Sequence, residues 1–284
     1  MQLPRISVVT PNYNYGHLIE HTIRSVLVQD YPNLEYIVVD DGSTDNSVEV
    51  IRKYEGRLRL VVQPNRGQSA AINHGFRLAT GEIQAWLNSD DLYVPGALHR
   101  AAKAFQIPRV DFVFGDHVAI DLEGREVYRE RLGLADARAL LVYLDRTLFQ
   151  EATFWRRHVY EACGPIDDDL YFSMDYAWFL RVAHRFRGLY IPEYLGAVRV
   201  HAGQKTAQMH PRLAGVTRGF DEGQRYREKF LAEHRFANWR LALGALWYAA
   251  RFRWRTGGWR GLFRPPTRLG LRLLRGGLLS CDGS

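Results

Sequence analysis

Residues 6–45 read ISVVTPNYNYGHLIEHTIRSVLVQDYPNLEYIVVDDGSTD, and the change of periodicity along them decides the fold. Ile6–Thr10 is a short apolar, β-branched run of the kind that forms a strand buried on both faces. Pro11, Asn12, Asn14 and Gly16 break it. Leu18, Thr22, Ile23, Val26 and Leu27 then recur at the spacing of one helix face. Leu34–Asp41 is a second β-branched run, closed by Gly42. Strand, helix and strand in this order predict a right-handed crossover between two parallel strands.

The alternation continues outward. Ser43 or Thr44 is placed to cap a helix with Asp45 in its first turn and Val48, Ile51 and Tyr54 as its stripe. Leu58–Gln63 reads as a third strand, and Ala71, Ile72, Phe76 and Ala79 as the next helix. Ile83–Leu87 is a fourth strand ending in Asn88-Ser89-Asp90-Asp91, and Pro95 suits a first helical position ahead of Leu98, Ala101, Ala102 and Phe105. Together these predict an α/β fold: a Rossmann-like, mostly parallel sheet with helices on both faces. Further on, Asp111–Asp121 and Tyr190–Val200 read as strands, and Ala135–Leu144 and Ser173–Phe186 as helices. Such sheets bind ligands beyond the carboxyl ends of their strands. Asn12, Asn14, Asp40, Asp41 and Asn88 to Asp91 all fall there. Neither a GxGxxG dinucleotide fingerprint nor a GxxxxGK[ST] P-loop is present.

The 284 residues carry a formal +7, which raises nucleic acid or an anionic membrane as partner, but the charge is uneven. Residues 231–284 hold ten arginines against Glu233 and Asp282, giving +8 there and −1 over the first 230 residues. Phe236 to Arg255 fits one helix with Arg240, Arg251 and Arg255 on one face and Trp239, Leu243 and Trp247 on another; Thr267 to Arg275 repeats the separation. Arginine opposite tryptophan and leucine describes an interfacial helix on an anionic leaflet; a helix folded back on the rest of the chain is the alternative. No nucleic-acid-binding motif accompanies the charge. The opening MQLPRISVVTPNYN reads as a strand rather than a secretory signal, and Cys163 and Cys281 have no CxxC spacing. No uncharged apolar run reaches the roughly 20 residues of a membrane span. A cytoplasmic protein held peripherally on the inner face of the membrane through residues 231–284 is expected.

Four features carry chemistry. Asp90 and Asp91 repel one another unless a cation or donors stabilise them, and hard divalent ions take such carboxylates together with substrate phosphates; a capped turn toward Pro95 is the structural alternative. Asp40 and Asp41 stand where a base N–H or a ribose hydroxyl would be met, or where a helix would be capped. His201, after a strand, offers an imidazole ligand or is an ordinary surface histidine. Asp175 shares a stripe with Phe179, Val182 and Phe186, which is costly unless the carboxylate faces a cavity, where it would serve as a general base.

The runs VVTPNYN, VVDDGSTD, NRGQSAAINHG, ATGE, WLNSDDLYVPGAL, TFWRR, MDYAWFLR and RVHAGQKT, in this order across residues 4–207, resemble a family 2 glycosyltransferase of the GT-A fold. The resemblance implies an inverting transferase of hexosyl type. It would move a sugar from a nucleoside-diphosphate sugar, most commonly a UDP-sugar, to a hydroxyl of a glycan or lipid-linked acceptor, with Mn²⁺ or Mg²⁺ as cofactor. By position it makes Thr10, Pro11, Asp41, Arg66 and stacking Tyr13 nucleotide-binding residues. Asn88 to Asp91 matches a DXD-like element whose first place holds Asn here, with Asp91 on the metal and Asp90 on ribose or metal. His201 matches a histidine near the diphosphate, counted with the metal, and Asp175 matches the base. Trp155 and Trp178 are placed to stack on an acceptor sugar, although packing in the core is the ordinary role of large aromatics. Residues 1–207 would be the catalytic domain, 1–110 its nucleotide-sugar half and 111–207 its acceptor half, and 208–284 a basic helical extension. A nucleotidyltransferase on a similar sheet calls for a Gly-rich, Lys-containing loop after the first strand, which is missing. A non-catalytic nucleotide-sugar-binding scaffold has no need of Asp90, Asp91 and Asp175, all of which are present.

Overall fold

The first strand–helix–strand unit folds as read, in a computed structural model that describes residues 3–133, 136–143, 147–205 and 218–234. β1 (Ile6–Asn12) and β2 (Leu34–Asp40) run parallel, with Ile6 opposite Leu34 and Asn12 opposite Asp40. α1 (Ile19–Leu27) crosses between them and buries Ile19, Thr22, Ile23, Val26 and Leu27. β3 (Arg59–Val62) adds outside β2, and β4 (Ile83–Trp86) adds on the other side of β1, both parallel. Alternation along β1 sends Ile6 and Val8 to one hydrophobic layer, with Ile19 and Leu98, and Val9 to the other, with Ile72, Phe76 and Trp86. In α3 (Gln68–Leu78) a Cβ on Gly75 would lie 2.3 Å from Val9 Cγ1, so glycine is what lets this helix lie close on β1.

Beyond β4 the sheet becomes mixed. β6 (Phe112–Ile120) and β8 (Thr153–Arg156) are antiparallel, and β8 also pairs antiparallel with β4. β9 (Gly188–Arg199) runs parallel to β6 and antiparallel to β5 (Leu92–Tyr93), while β7 (Glu126–Glu130) hangs on β6. The order is β3-β2-β1-β4-β8-β6-β9-β5 in a nine-stranded sheet. α2 (Ser47–Arg52), α4 (Ala97–Ala104), α5 (Arg157–Cys163), α6 (Met174–Arg185) and α7 (Arg218–Glu233) are the other α-helices among the described residues.

Four local expectations change. Pro11 stays within β1, opposite Val39. Val9 is the last β1 carbonyl to accept from the β4 side, at Leu87 N–H, and Pro11 shares Val9's side by strand alternation, so its missing donor falls where β4 has ended. α2 begins at Ser47, and Ser43, instead of capping it, donates to Asp40 Oδ2 at 2.7 Å. α4 begins at Ala97, two residues past Pro95. Residues Ala139–Tyr143 form a π-helical turn; residues 135 and 144, the expected ends of that helix, lie outside the described residues. So do the tail helices expected at 236–255 and 267–275. Among the described residues no helix is long and apolar enough to cross a membrane.

Candidate active site

The carboxyl ends of β1, β2 and β4 and the first turn of α6 open on one cavity of about 760 Å³, a size that takes a small-molecule ligand. Pro11, Tyr13, Asp41, Asn65, Gly67 and Gln68 line one part of it. Tyr13 is 45% exposed, so its ring is free to meet a ligand. Asp41 reaches from the end of β2 across the loop at 64–67: its carboxylate accepts from the Gln63 amide at 2.7 Å, Arg66 N–H at 3.0 Å and Gly67 N–H at 2.8 Å. Asp40 turns the other way, to Asn12 Nδ2 at 2.7 Å.

Two expected nucleotide contacts are placed elsewhere. Thr10 is fully buried, with Oγ1 3.1 Å from Tyr36 Oη, and is not part of the cavity wall, because its strand position faces the interior. Arg66 gives only its backbone N–H to Asp41; its side chain is exposed and also outside the wall. Trp155 and Trp178 correct the acceptor expectation. Both are fully buried, their rings 4.6 Å apart and next to Trp86, so neither has a free face for a sugar.

Asn88, Ser89, Asp90 and Asp91 sit on the turn after β4, which Thr22 of α1 holds by donating to both Ser89 O and Asp91 O at 2.9 Å. Asp91 is nearly buried; Oδ2 accepts from Gln150 Nε2 at 2.7 Å and Oδ1 from Arg199 N–H at 3.1 Å. Burial pushes its pKa up, and the charges of Asp90 and Glu151 push it further, against the Arg199 and Asn88 hydrogen bonds. Asp90 Oδ2 lies 3.2 Å from His201 Nε2. The two side chains converge although 111 residues separate them.

These groups suit a hard divalent cation. The Asp90 carboxylate and the His201 imidazole, 3.2 Å apart at Oδ2 and Nε2, are the two donors that one ion would share. Asp91 Oδ1 keeps a lone pair beyond the Arg199 bond, and a cation beside it would favour the ionised form that burial disfavours. Among the described residues no three His, Cys, Asp or Glu side chains form a ready cage. An ion that completes its shell with water and substrate phosphates needs none.

Asp175, in the first turn of α6, lines the opposite part of the cavity. It is half-buried and Oδ1 accepts from Tyr176 N–H at 2.7 Å. Desolvation raises its pKa to about 6, opposed by that hydrogen bond and by Lys205, and aided by Glu151. The result is a carboxylate poised close to neutrality, as a general base requires. Lys205 lies 4.0 Å over the Tyr171 ring and donates to Gln68 Oε1 at 3.1 Å.

One pair in the cavity wall was not read from the sequence. His117 on β6 meets Glu151 at 2.5 Å (Nδ1 to Oε1), both buried, and stacks on Phe149 at 3.6 Å. Burial alone would lower the His117 pKa, but Glu130 and Glu151 outweigh it and raise it to about 9. The two carboxylates thus favour the protonated imidazole. The pair's sequence trace is slight: Gln150-Glu151, one residue ahead of the TFWRR run.

The sequence profile of Glycosyl transferase family 2 matches residues 7–164. An uncharacterised glycosyltransferase of Nostoc sp. is 39% identical over 128 residues, 41% of this chain and 40% of that protein. WfgD of Escherichia coli, a UDP-Glc:alpha-D-GlcNAc-diphosphoundecaprenol beta-1,3-glucosyltransferase, is 31% identical over 160 residues, 52% of this chain and 63% of WfgD. The chain thus spans less than two thirds of either relative. Among solved structures, S. aureus TarS 1-349 in complex with UDP-GlcNAc superposes with a TM-score of 0.64 at 20% identity, covering 89% of this chain and 74% of that one. Mannosyltransferase PcManGT from Pyrobaculum calidifontis, in complex with GDP-Man and Mn²⁺, gives 0.60 at 24%, covering 99% and 82%. At such identities the likeness is one of fold, the GT-A type.

Proposed function

Because the chain belongs to glycosyl transferase family 2, we propose that it transfers a sugar from a nucleoside-diphosphate sugar to an acceptor hydroxyl with inversion, using Asp175 as the base. The observation that carries this reading is Asp175 itself, a half-buried carboxylate with its pKa raised to about 6 in the wall of the cavity that also holds Asp90 and Asp91. The acceptor hydroxyl is a weak nucleophile. Asp175 takes its proton as the oxygen bonds to the anomeric carbon and the bond from that carbon to the diphosphate oxygen breaks. The nucleoside diphosphate leaves with the electron pair. One base and one in-line displacement give inversion.

Asp90, Asp91 and His201 are the residues that would hold Mn²⁺ or Mg²⁺. When bound, that ion supplies Lewis-acid stabilisation of the departing diphosphate. Pro11, Tyr13 and Asp41 form the nucleotide end, Tyr13 by stacking and Asp41 by holding the 64–67 loop against the cavity. A uridine nucleotide is favoured by the UDP-GlcNAc complex of TarS and the UDP-Glc donor in the name of WfgD. The latter's polyprenyl-diphosphate sugar also makes a lipid-linked glycan the favoured acceptor class. Such an acceptor agrees with residues 231–284 as a basic anchor on an anionic membrane surface, with the protein peripheral to it.

The experiment is a screen of nucleotide sugars with Mn²⁺, Mg²⁺ or EDTA, reading release of nucleoside diphosphate. Release from one UDP-sugar, dependent on the cation and accelerated by a polyprenyl-diphosphate-linked sugar, is expected. Nucleotide-sugar binding with no release under any condition would leave a binding scaffold instead.

A further inference from the structure

α7 lies beyond the segment that the family profile matches and beyond the last sequence motif that points to the site. Its Glu222 nevertheless reaches the turn that leads into α6. Tyr171 N–H donates to Glu222 Oε1 at 3.0 Å, and Phe172 N–H and Ser173 N–H donate to Oε2 at 2.8 and 2.7 Å. Three successive backbone N–H groups form a concavity that holds an anion, and here the protein fills it with a carboxylate of its own. Ser173, the residue at the head of α6, makes no side-chain capping bond to its helix. The glycine after Glu222 confirms how closely the elements meet: a Cβ on Gly223 would lie 2.9 Å from Ser173 Oγ. Gly223 and Gln224 also line the cavity.

The anchored turn ends two residues before Asp175. Fixing the backbone at 171–173 fixes the direction in which α6 starts, and with it the carboxylate of its first turn. The same turn carries Tyr171, over which Lys205 sits. Burial lowers the Lys205 pKa, and the charges of Asp175 and Glu222 both oppose that. We infer that Glu222 is a positioning residue for the Asp175 base, and that the catalytic unit therefore extends through α7. The inference rests on the reading of Asp175 as base.

The charged groups that face Asp175 are Lys205 after β9 and Glu151 before β8, with Glu222 on α7 acting through Lys205. Removing Glu222 loosens the turn, lets water reach Asp175 and leaves Lys205 to pair with it. Hydration and pairing with Lys205 both lower the Asp175 pKa. The test compares Glu222→Ala, Glu222→Gln, the exposed α7 control Arg225→Ala and Asp175→Asn in full-length protein, reading kcat, donor KM and the acid limb of kcat against pH. Glu222→Ala is expected to lower kcat by about 10- to 100-fold, the scale of a misplaced catalytic group, with donor KM unchanged and the acid limb moved down by at least about half a pH unit. Glu222→Gln keeps one acceptor oxygen for Phe172 and Ser173 but loses the bond from Tyr171 N–H, and is expected to lie between Glu222→Ala and wild type in both kcat and acid limb. Arg225→Ala matches wild type. Wild-type kcat and acid limb in Glu222→Ala overturn the inference, as does a loss confined to melting temperature with the limb unmoved. If Glu222→Ala does not fold, Glu222→Gln decides alone: a lowered kcat with a shifted limb supports it and wild-type values overturn it. Full activity in Asp175→Asn would instead refute the base reading.

Discussion

Asp175→Asn should make the protein inactive and more stable at once. The Asp175 carboxyl is raised from 3.8 to about 6, chiefly by desolvation. Between those two pH values the folded chain holds a proton that the unfolded chain has released, so stability falls as pH rises through that window and stays reduced above it. About two units at 1.36 kcal/mol each cost the folded state about 3 kcal/mol at neutral pH. Asparagine has nearly the same shape, keeps an oxygen for the Tyr176 N–H and carries no charge to desolvate. The expected gain above pH 6 is about 1–3 kcal/mol, the lower figure allowing for solvation through the cavity mouth. At this chain length that is a rise in melting temperature of roughly 2–5 °C.

The gain must also vanish in acid. Below pH 4 the wild-type carboxyl is protonated in both states, so the two proteins should melt together there. They should separate between pH 4 and 6 and run parallel above. Thermal melts of both at pH 4, 5, 6, 7 and 8, beside a transfer assay at pH 7.5, give the whole curve. An active Asp175→Asn refutes the catalytic reading. A variant no more stable than wild type at pH 8, or one whose gain is the same at every pH, refutes the electrostatic one. Both outcomes expected together would show a site kept at the expense of the fold.

Three further outcomes follow from the geometry. The acid limb of wild-type kcat should lie near pH 6, activity rising as Asp175 loses its proton; a rate flat from pH 5 to 8 in a buffer that keeps the fold intact would contradict the raised pKa. Trp155→Ala should cost about 3–5 kcal/mol in urea unfolding, the scale of removing a fully buried large aromatic, and the folded fraction should keep wild-type acceptor KM because the ring never reaches the cavity. Truncation after His234 keeps Phe230 and its ring contacts in place, and should abolish binding to vesicles of anionic lipid while donor hydrolysis persists; vesicle binding by the truncated chain would remove the basic segment's role.

The fold was legible where one periodicity governed a long enough run. β1, α1 and β2 emerge from residues 6–40 because a two-faced buried strand and an amphipathic helix leave different spacings. The strand-end carboxylates were legible for the same reason, since a parallel sheet puts its loops of interest at one edge. β8 was missed because four residues, Thr153–Arg156, carry too little pattern to separate a strand from a motif. Trp155 and Trp178 offered two roles, and core packing, the ordinary one for large aromatics, is what they take, with Trp86 and Phe179 around them. The His117–Glu151 pair and the Glu222 anchor join residues 34 and about 50 positions apart through tertiary contact alone, and no local rule exposes such pairs.

The charge in the cavity supplies one further consequence. Asp41, Asp90, Asp91, Glu151 and Asp175 line it, against His117, Arg199 and Lys205. Glu151 and His117 neutralise one another, and Arg199 spends its guanidinium on the carbonyls of Asp90, Asp121 and Leu122. Asp41 is stabilised by backbone N–H groups. What remains to meet a diphosphate is Lys205, which also donates to Gln68, against Asp90, Asp91 and Asp175, so a nucleoside diphosphate alone would bring more negative charge to a site already in excess of it. Its affinity should therefore depend on a divalent cation, by at least about tenfold on replacing Mn²⁺ with EDTA, which is 1.4 kcal/mol. Asp90→Asn and His201→Ala should each weaken the Mn²⁺-dependent part, and Asp90→Asn should raise the EDTA baseline by removing one of the repelling charges. Equal affinity for nucleoside diphosphate in Mn²⁺ and in EDTA, measured by calorimetry on the wild-type protein, would mean that the described carboxylates do not face the diphosphate at all.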